Sequence, residues 1–134
     1  MSIKFTILGC GSSMGVPRAD GFYGNCNLKN EKNHRSRCSA LIRFNNMNIL
    51  IDTSPDLRTQ LLKNKIKSIE KVFYTHLHAD QTHGINDLRP FFIVKKKKIP
   101  VFADSKTSKY LKSTFNYCFK SSFGYPSTLK INKL

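Results

Sequence analysis

The stretch Thr75-His76-Leu77-His78-Ala79-Asp80-Gln81-Thr82-His83-Gly84 places three of the chain's four histidines and an aspartate within eight residues. Directly before it, Lys71-Val72-Phe73-Tyr74 is short and mostly apolar, the pattern of a buried strand. A polar cluster that starts where a strand ends constrains the fold: such a loop carries a site when a rigid sheet holds it. Imidazole and carboxylate together suit zinc and other borderline divalent ions. Histidines at i and i+2 can face one ion if the chain curls around it. A polar turn capping a helix is the plain alternative, but a turn supplies no reason for three histidines.

The rest of the chain reads as strands alternating with helices. Ile3-Lys4-Phe5-Thr6-Ile7-Leu8 alternates as a strand and is followed by the glycine-rich Gly9-Cys10-Gly11-Ser12-Ser13-Met14-Gly15-Val16-Pro17. No Gly-Lys-Ser/Thr closes that loop into a nucleotide-binding motif, so its small residues predict close backbone packing near a site. Residues 18–38 lack either periodicity and predict a long ordered loop. Arg18, Arg35 and Arg37 on it are candidate phosphate contacts, because the guanidinium fork matches phosphate oxygens; solvated surface arginines are the alternative. Cys26, His34 and Cys38 match no zinc-binding spacing.

Ser39–Phe44 and Met47–Asp52 predict a hairpin turned by Asn45-Asn46. Asp52, at the end of the second strand, is placed to orient metal-bound histidines without binding the ion itself. Ser54 or Asp56 is predicted to cap a helix from Leu57, and Ser105 another from near Lys106, after a strand over Ile99–Ala103. Thr128–Ile131 is a last short strand with nothing after it to complete a layer.

Length and composition set the limits. At 134 residues the chain is one domain, and no apolar run approaches the roughly 18 residues that span a bilayer. Four cysteines without C-x-x-C pairing and no signal peptide imply a reduced, cytoplasmic protein. Lys and Arg number 23 against 8 acids, a net charge of +15 that favours anionic partners; only Lys95–Lys98 forms a run.

Gly9-Cys10-Gly11-Ser12 with Gly15-Val16-Pro17, Leu50-Ile51-Asp52-Thr53 and His76-Leu77-His78-Ala79-Asp80 occur in this order. Together they resemble the N-terminal half of the metallo-β-lactamase superfamily. Within it they resemble the bacterial phosphodiesterases that include phosphoribosyl cyclic phosphate phosphodiesterase, relatives of the tRNA 3′-processing nucleases. The resemblance implies an α/β fold, the N-terminal half of an αββα sandwich with a mixed sheet and flanking helices. It implies a site for two ions, Zn2+ or Mn2+, with His76 and His78 on the first and Asp80 on the second. Asp80 would also position the attacking hydroxide of a phosphodiesterase, and Asp52 would support the ligand loop.

Two departures qualify that expectation. Gln81 stands where the family pattern has histidine, so the second position either uses its carbonyl oxygen, recruits His83, or prefers a harder ion. The family also runs to about twice this length, with further ligands in its second half. Residues 1–134 therefore read as a single partial domain, truncated at the C-terminus, with the inner face of its sheet exposed. The expected substrate is a phosphodiester, either a small cyclic phosphate or a nucleic-acid end, and no membrane is involved. Two other readings stand beside the hydrolase. One is a metal-binding but incomplete half needing a partner, as a homodimer or with a complementing C-terminal half. The other is a basic nucleic-acid-binding protein without chemistry.

Overall fold

The computed structural model describes residues 2–134. Its centre is one six-stranded sheet whose strands lie in chain order: β1 (Ile3–Gly9), β2 (Ser39–Phe44), β3 (Met47–Ile51), β4 (Lys71–Phe73), β5 (Ile99–Ala103) and β6 (Leu129–Lys133). The first three strands are antiparallel and the last four parallel, so the sheet is mixed. The β2–β3 hairpin turns as its Asn pair predicts, with Asn45 at φ 45° and Asn46 at φ 62°. Asparagine tolerates that left-handed region better than other residues with a Cβ, and the primed turn it makes matches the strand twist.

Parallel pairing needs crossovers, and helices supply them. Helix α1 (Leu57–Lys63) links β3 to β4; α2 (Ala79–Thr82), a 3-10 turn over Ile85–Leu88 and α3 (Arg89–Lys95) link β4 to β5; α4 (Ser105–Thr114) and α5 (Asn116–Phe119) link β5 to β6. Pro90 lies in the first turn of α3, a position where its missing N–H costs nothing. Among the described residues no helix is long and apolar enough to cross a membrane.

The two sheet faces differ. Leu41, Leu50, Val72 and Val101 are register partners across four strands, and each is at most 2 % exposed. They form the core with Leu57 and Leu61 of α1, Ile85, Leu88 and Leu111, so the helices cover this face. On the other face Phe73 stacks on Phe102 with ring centroids 4.7 Å apart. At its β1 edge Ile3, Phe5 and Ile7 are 69 %, 61 % and 66 % exposed. The expected bare sheet face is therefore present, and apolar along β1.

Both predicted helix caps differ from expectation. Asp104, not Ser105, caps α4, its carboxylate accepting from Thr107 N–H at 2.6 Å. Asp56 occupies the cap position of α1, but its side chain makes no cap bond. It is held instead by Arg37, which donates from its backbone N–H and from Nε and Nη2 at 2.8, 3.0 and 2.7 Å. A bidentate guanidinium outcompetes a single backbone donor for a carboxylate. Ser54 Oγ accepts the Asp56 N–H at 3.0 Å.

Candidate metal centre

Strands β3, β4 and β5 run parallel, so their carboxyl ends open on one sheet edge, the usual place for a ligand in such sheets. β3 delivers Asp52 there and β4 delivers Thr75 and His76. Asp52 is buried and sits at φ 60°, a left-handed conformation uncommon for a residue with a Cβ. It persists because the carboxylate is held twice: Oδ1 accepts from Thr75 N–H at 2.8 Å and Oδ2 from Thr75 Oγ1–H at 2.7 Å. Burial pushes the Asp52 carboxyl up, while the two Thr75 bonds and His76 pull it back.

That pair of bonds decides the state of His76. Thr75 Oγ1 lies 3.0 Å from His76 Nδ1. An ionised carboxylate only accepts, so the single Thr75 hydroxyl proton goes to Asp52 and the oxygen must accept from His76 Nδ1–H. His76 Nε2 is left with its lone pair, and it lies 3.1 Å from His78 Nδ1. Both histidines are exposed, with ring planes 77° apart.

The 75–84 loop is pinned from beneath. Thr53 N–H donates to Gln81 O at 2.7 Å, and Gly84 N–H donates to Thr53 O at 2.9 Å. Thr53 Oγ1 meets Thr82 O at 3.1 Å and the buried Tyr74 hydroxyl at 2.7 Å. The Thr53 proton goes to the carbonyl, so Tyr74 donates; burial pushes the Tyr74 hydroxyl far up, keeping it a donor. Gly84 packs so closely that a Cβ would fall 1.9 Å from Ser54 O. Gly9 is similar, with Arg37 O 2.2 Å from its would-be Cβ, and it meets the close packing expected of the glycine loop.

Asp80 and Gln81 point to a second grouping. The buried Gln81 donates from Nε2 to Asp80 Oδ2 at 2.8 Å and contacts Cys38 Sγ at 2.9 Å, while its Oε1 is buried with no partner. Cys38 Sγ lies 4.0 Å from Asp80 Oδ2. Burial pushes the Cys38 thiol up; the Gln81 bond opposes this, and the carboxylates of Asp80 and Asp52 add to it.

His83 is exposed and faces α4, with Nε2 3.3 Å from the Tyr110 hydroxyl and its ring edge-on to Phe115. The three arginines are also engaged. Arg18 pairs with Asp20, Arg37 with Asp56, and Arg35 Nη1 reaches Cys10 Sγ at 3.2 Å. Arg35 and Arg37 line a cleft of about 470 Å3 with Met14, Pro17, His34 and Lys63, and none of His76, His78 or Asp80 lines it. Cys26 is exposed and His34 contacts Leu28 O at 2.9 Å, so Cys38 shares no cluster with them.

The donors present fit a divalent ion in part. A tetrahedral zinc with bonds of about 2.0–2.1 Å holds two nitrogens about 3.3 Å apart, close to the 3.1 Å between His76 Nε2 and His78 Nδ1. The partnerless side-chain carbonyl of Gln81, whose amide nitrogen lies against Asp80, is a buried acceptor that a cation would satisfy. Among the described residues no three His, Cys, Asp or Glu side chains converge, so each grouping is a partial ligand set. Sequence reasoning missed Thr75, legible as the hydroxyl between a strand end and His76. It also missed Cys38, which no local pattern ties to Asp80.

The description "Beta-lactamase superfamily domain" matches residues 47–132. A solved diphosphatase of the PhnP family is similar over the whole chain at 32 % identity and TM-score 0.85, and the chain covers 51 % of it. Zn2+-bound PqqB from Methylobacterium extorquens matches 99 % of the chain at 19 % identity and TM-score 0.68, with 46 % of its own length covered. A protein named octanoyltransferase from Porphyromonas gingivalis (strain ATCC BAA-308 / W83) is 34 % identical over 127 residues, 94 % of this chain and 25 % of that protein. The chain thus spans about half the length of these solved structures and a quarter of that relative.

Proposed function

From the premise that the chain belongs to the beta-lactamase superfamily, we propose that it carries the first ligands of a metal-dependent phosphodiesterase. The observation that carries this reading is the nitrogen pair of His76 and His78 at the sheet edge, with His76 fixed as a lone-pair donor by Thr75 and Asp52. The likeness to a diphosphatase supports hydrolysis at a phosphoryl group; the substrate we infer is a phosphodiester, either a small cyclic phosphate or a nucleic-acid end. The net charge of +15 suits an anionic substrate and draws it toward the surface.

Each residue has a part. His76 and His78 would hold one ion, Zn2+ or Mn2+, and Asp80 the second. A bound divalent ion supplies Lewis-acid stabilisation of phosphoryl charge and acidifies water. Asp52 and Thr75 keep the His76 ring in the tautomer that presents Nε2. Asp80 would also position the attacking nucleophile. Acyl transfer, the chemistry in the octanoyltransferase name, fits less well: the Thr75 hydroxyl gives its proton to Asp52, not to His76, so the pair makes no nucleophile and base. The four free cysteines suit a reducing, cytoplasmic setting.

Hydrolysis of bis(p-nitrophenyl) phosphate by the Zn2+- or Mn2+-loaded protein tests the reading. His76→Ala and Asp80→Ala should each lower turnover at least 100-fold, and retained turnover in either variant overturns it. A second reading rests on the bare apolar face of β1: the chain binds metal but completes its site only with another sheet, from a second copy or a complementing polypeptide. Metal bound without turnover in the isolated chain, with turnover restored on association, selects that reading.

A further inference from the structure

We propose that Cys38 is a metal ligand, joining Asp80 at the second ion position and replacing there the histidine for which this chain has Gln81. The inference rests on the metal-binding reading above.

Three observations carry it. Cys38 stands immediately before β2, and Ser39 Oγ fixes that strand start by donating to Ile51 O and Asp52 O at 3.1 and 2.9 Å. The sulfur is thus presented at the start of a sheet strand. Second, Sγ lies 4.0 Å from Asp80 Oδ2. A tetrahedral zinc with bonds of about 2.3 Å to sulfur and about 2.0–2.2 Å to oxygen sets these two atoms about 3.5 Å apart. A rotamer adjustment of half an ångström closes the difference. Third, Gln81 is only 5 % exposed, its amide lies against both Asp80 and Cys38, and its Oε1 has no donor. A buried acceptor without a partner costs about 1–3 kcal/mol; turning the amide over would aim Oε1 at Asp80 and Cys38, where a cation would satisfy it. The Gln81 Nε2 contact to sulfur, at 2.9 Å, has the length usual for an oxygen acceptor. Nε2 bridges Asp80 and Cys38 as a polar donor, the part an ion would take once the amide turned.

Sulfur also changes the preference. Thiolate selects soft and borderline ions, whereas carboxylate and amide oxygens alone suit manganese or magnesium. Cys38 therefore makes the second position a zinc position despite the loss of an imidazole.

Titration of the purified chain with Co2+ tests this by absorption spectroscopy. The wild type should develop a near-ultraviolet sulfur-to-cobalt charge-transfer band. Cys38→Ser should lose it while Cys10→Ser and Cys26→Ser keep it, and the Zn2+ affinity of Cys38→Ser should fall at least tenfold. Co2+ binding with no such band, or a band that survives Cys38→Ser, overturns the Cys38 assignment and leaves His76 and His78 untouched. No Co2+ binding at all overturns the metal reading itself, and this inference with it. A measurement on the wild type alone guards against a misfolded variant: bound Zn2+ should slow alkylation of Cys38 by N-ethylmaleimide at least tenfold, read by peptide mass spectrometry. Unchanged alkylation also overturns the assignment.

Discussion

Gly84→Ala should lower the stability of the protein by about 3 kcal/mol, the upper part of the range for overpacking a buried position. The added Cβ would lie 1.9 Å from Ser54 O, 2.8 Å from Ser54 C and 3.0 Å from Leu57 Cβ. Two of these are backbone atoms at the buried base of the ligand loop, where Ser54 and Leu57 are fully buried, so no side-chain rotation relieves the clash. Either the 53–57 turn or the ligand loop must move, and the two are tied by the Gly84–Thr53 and Thr53–Gln81 bonds. For a chain of this size the shift in thermal midpoint is about 10 °C. Gly124→Ala is the control: nothing lies within 4 Å of its would-be Cβ, and only its φ of 73° opposes a side chain, a cost of about 1 kcal/mol. Thermal denaturation of both variants checks the contrast. A Gly84→Ala midpoint as high as that of Gly124→Ala would contradict the packing described.

Asp52→Asn should keep the fold and lose the metal. Asparagine accepts the left-handed backbone at position 52 and is close in shape to aspartate. Its Oδ1 can still take the Thr75 N–H, which leaves the amide NH2 facing Thr75 Oγ1. That group donates, so the Thr75 proton must turn to His76 Nδ1, and the His76 proton moves to Nε2. The ring then presents N–H where it should present a lone pair. Removing a hydrogen-bond partner behind a metal ligand typically costs 10–100-fold in affinity, and the inverted tautomer puts the expectation at the upper end. Asp52→Ala should lose affinity and stability together, since it also forfeits two bonds to Thr75 and strains the backbone at φ 60°. Isothermal titration with Zn2+ beside thermal denaturation separates the two cases. An Asp52→Asn protein with wild-type affinity would show that Thr75 does not set the tautomer.

Much of the fold was legible because it rests on local rules. Alternation marked β1 and the hairpin, Asn45-Asn46 marked its turn, and the apolar run before His76 marked β4. The place of Asp52 at a strand end was legible, though not its two bonds to Thr75, and the His cluster was legible from density alone. What the sequence hid depends on partners far away in the chain. Asp56 has the position and chemistry of a helix cap, but Arg37, 19 residues earlier, presents a stronger partner. Asp104 took the cap from Ser105 because a one-residue shift in helix start is invisible to periodicity. Cys38 sits 42 residues before Asp80 and meets it only because β2 pairs with β3 and β3 with β4. His83 belongs to the cluster in sequence, but the short helix α2 turns it toward Tyr110 and Phe115.

The central claim is that His76 and His78 together hold a divalent ion, and equilibrium dialysis of the intact protein against Zn2+ tests it most directly. The wild type should retain at least one Zn2+ per chain, and the His76→Ala/His78→Ala double variant should release it while its circular dichroism spectrum stays native. A folded double variant that binds as much Zn2+ as the wild type, or a wild type that binds none, would contradict the account.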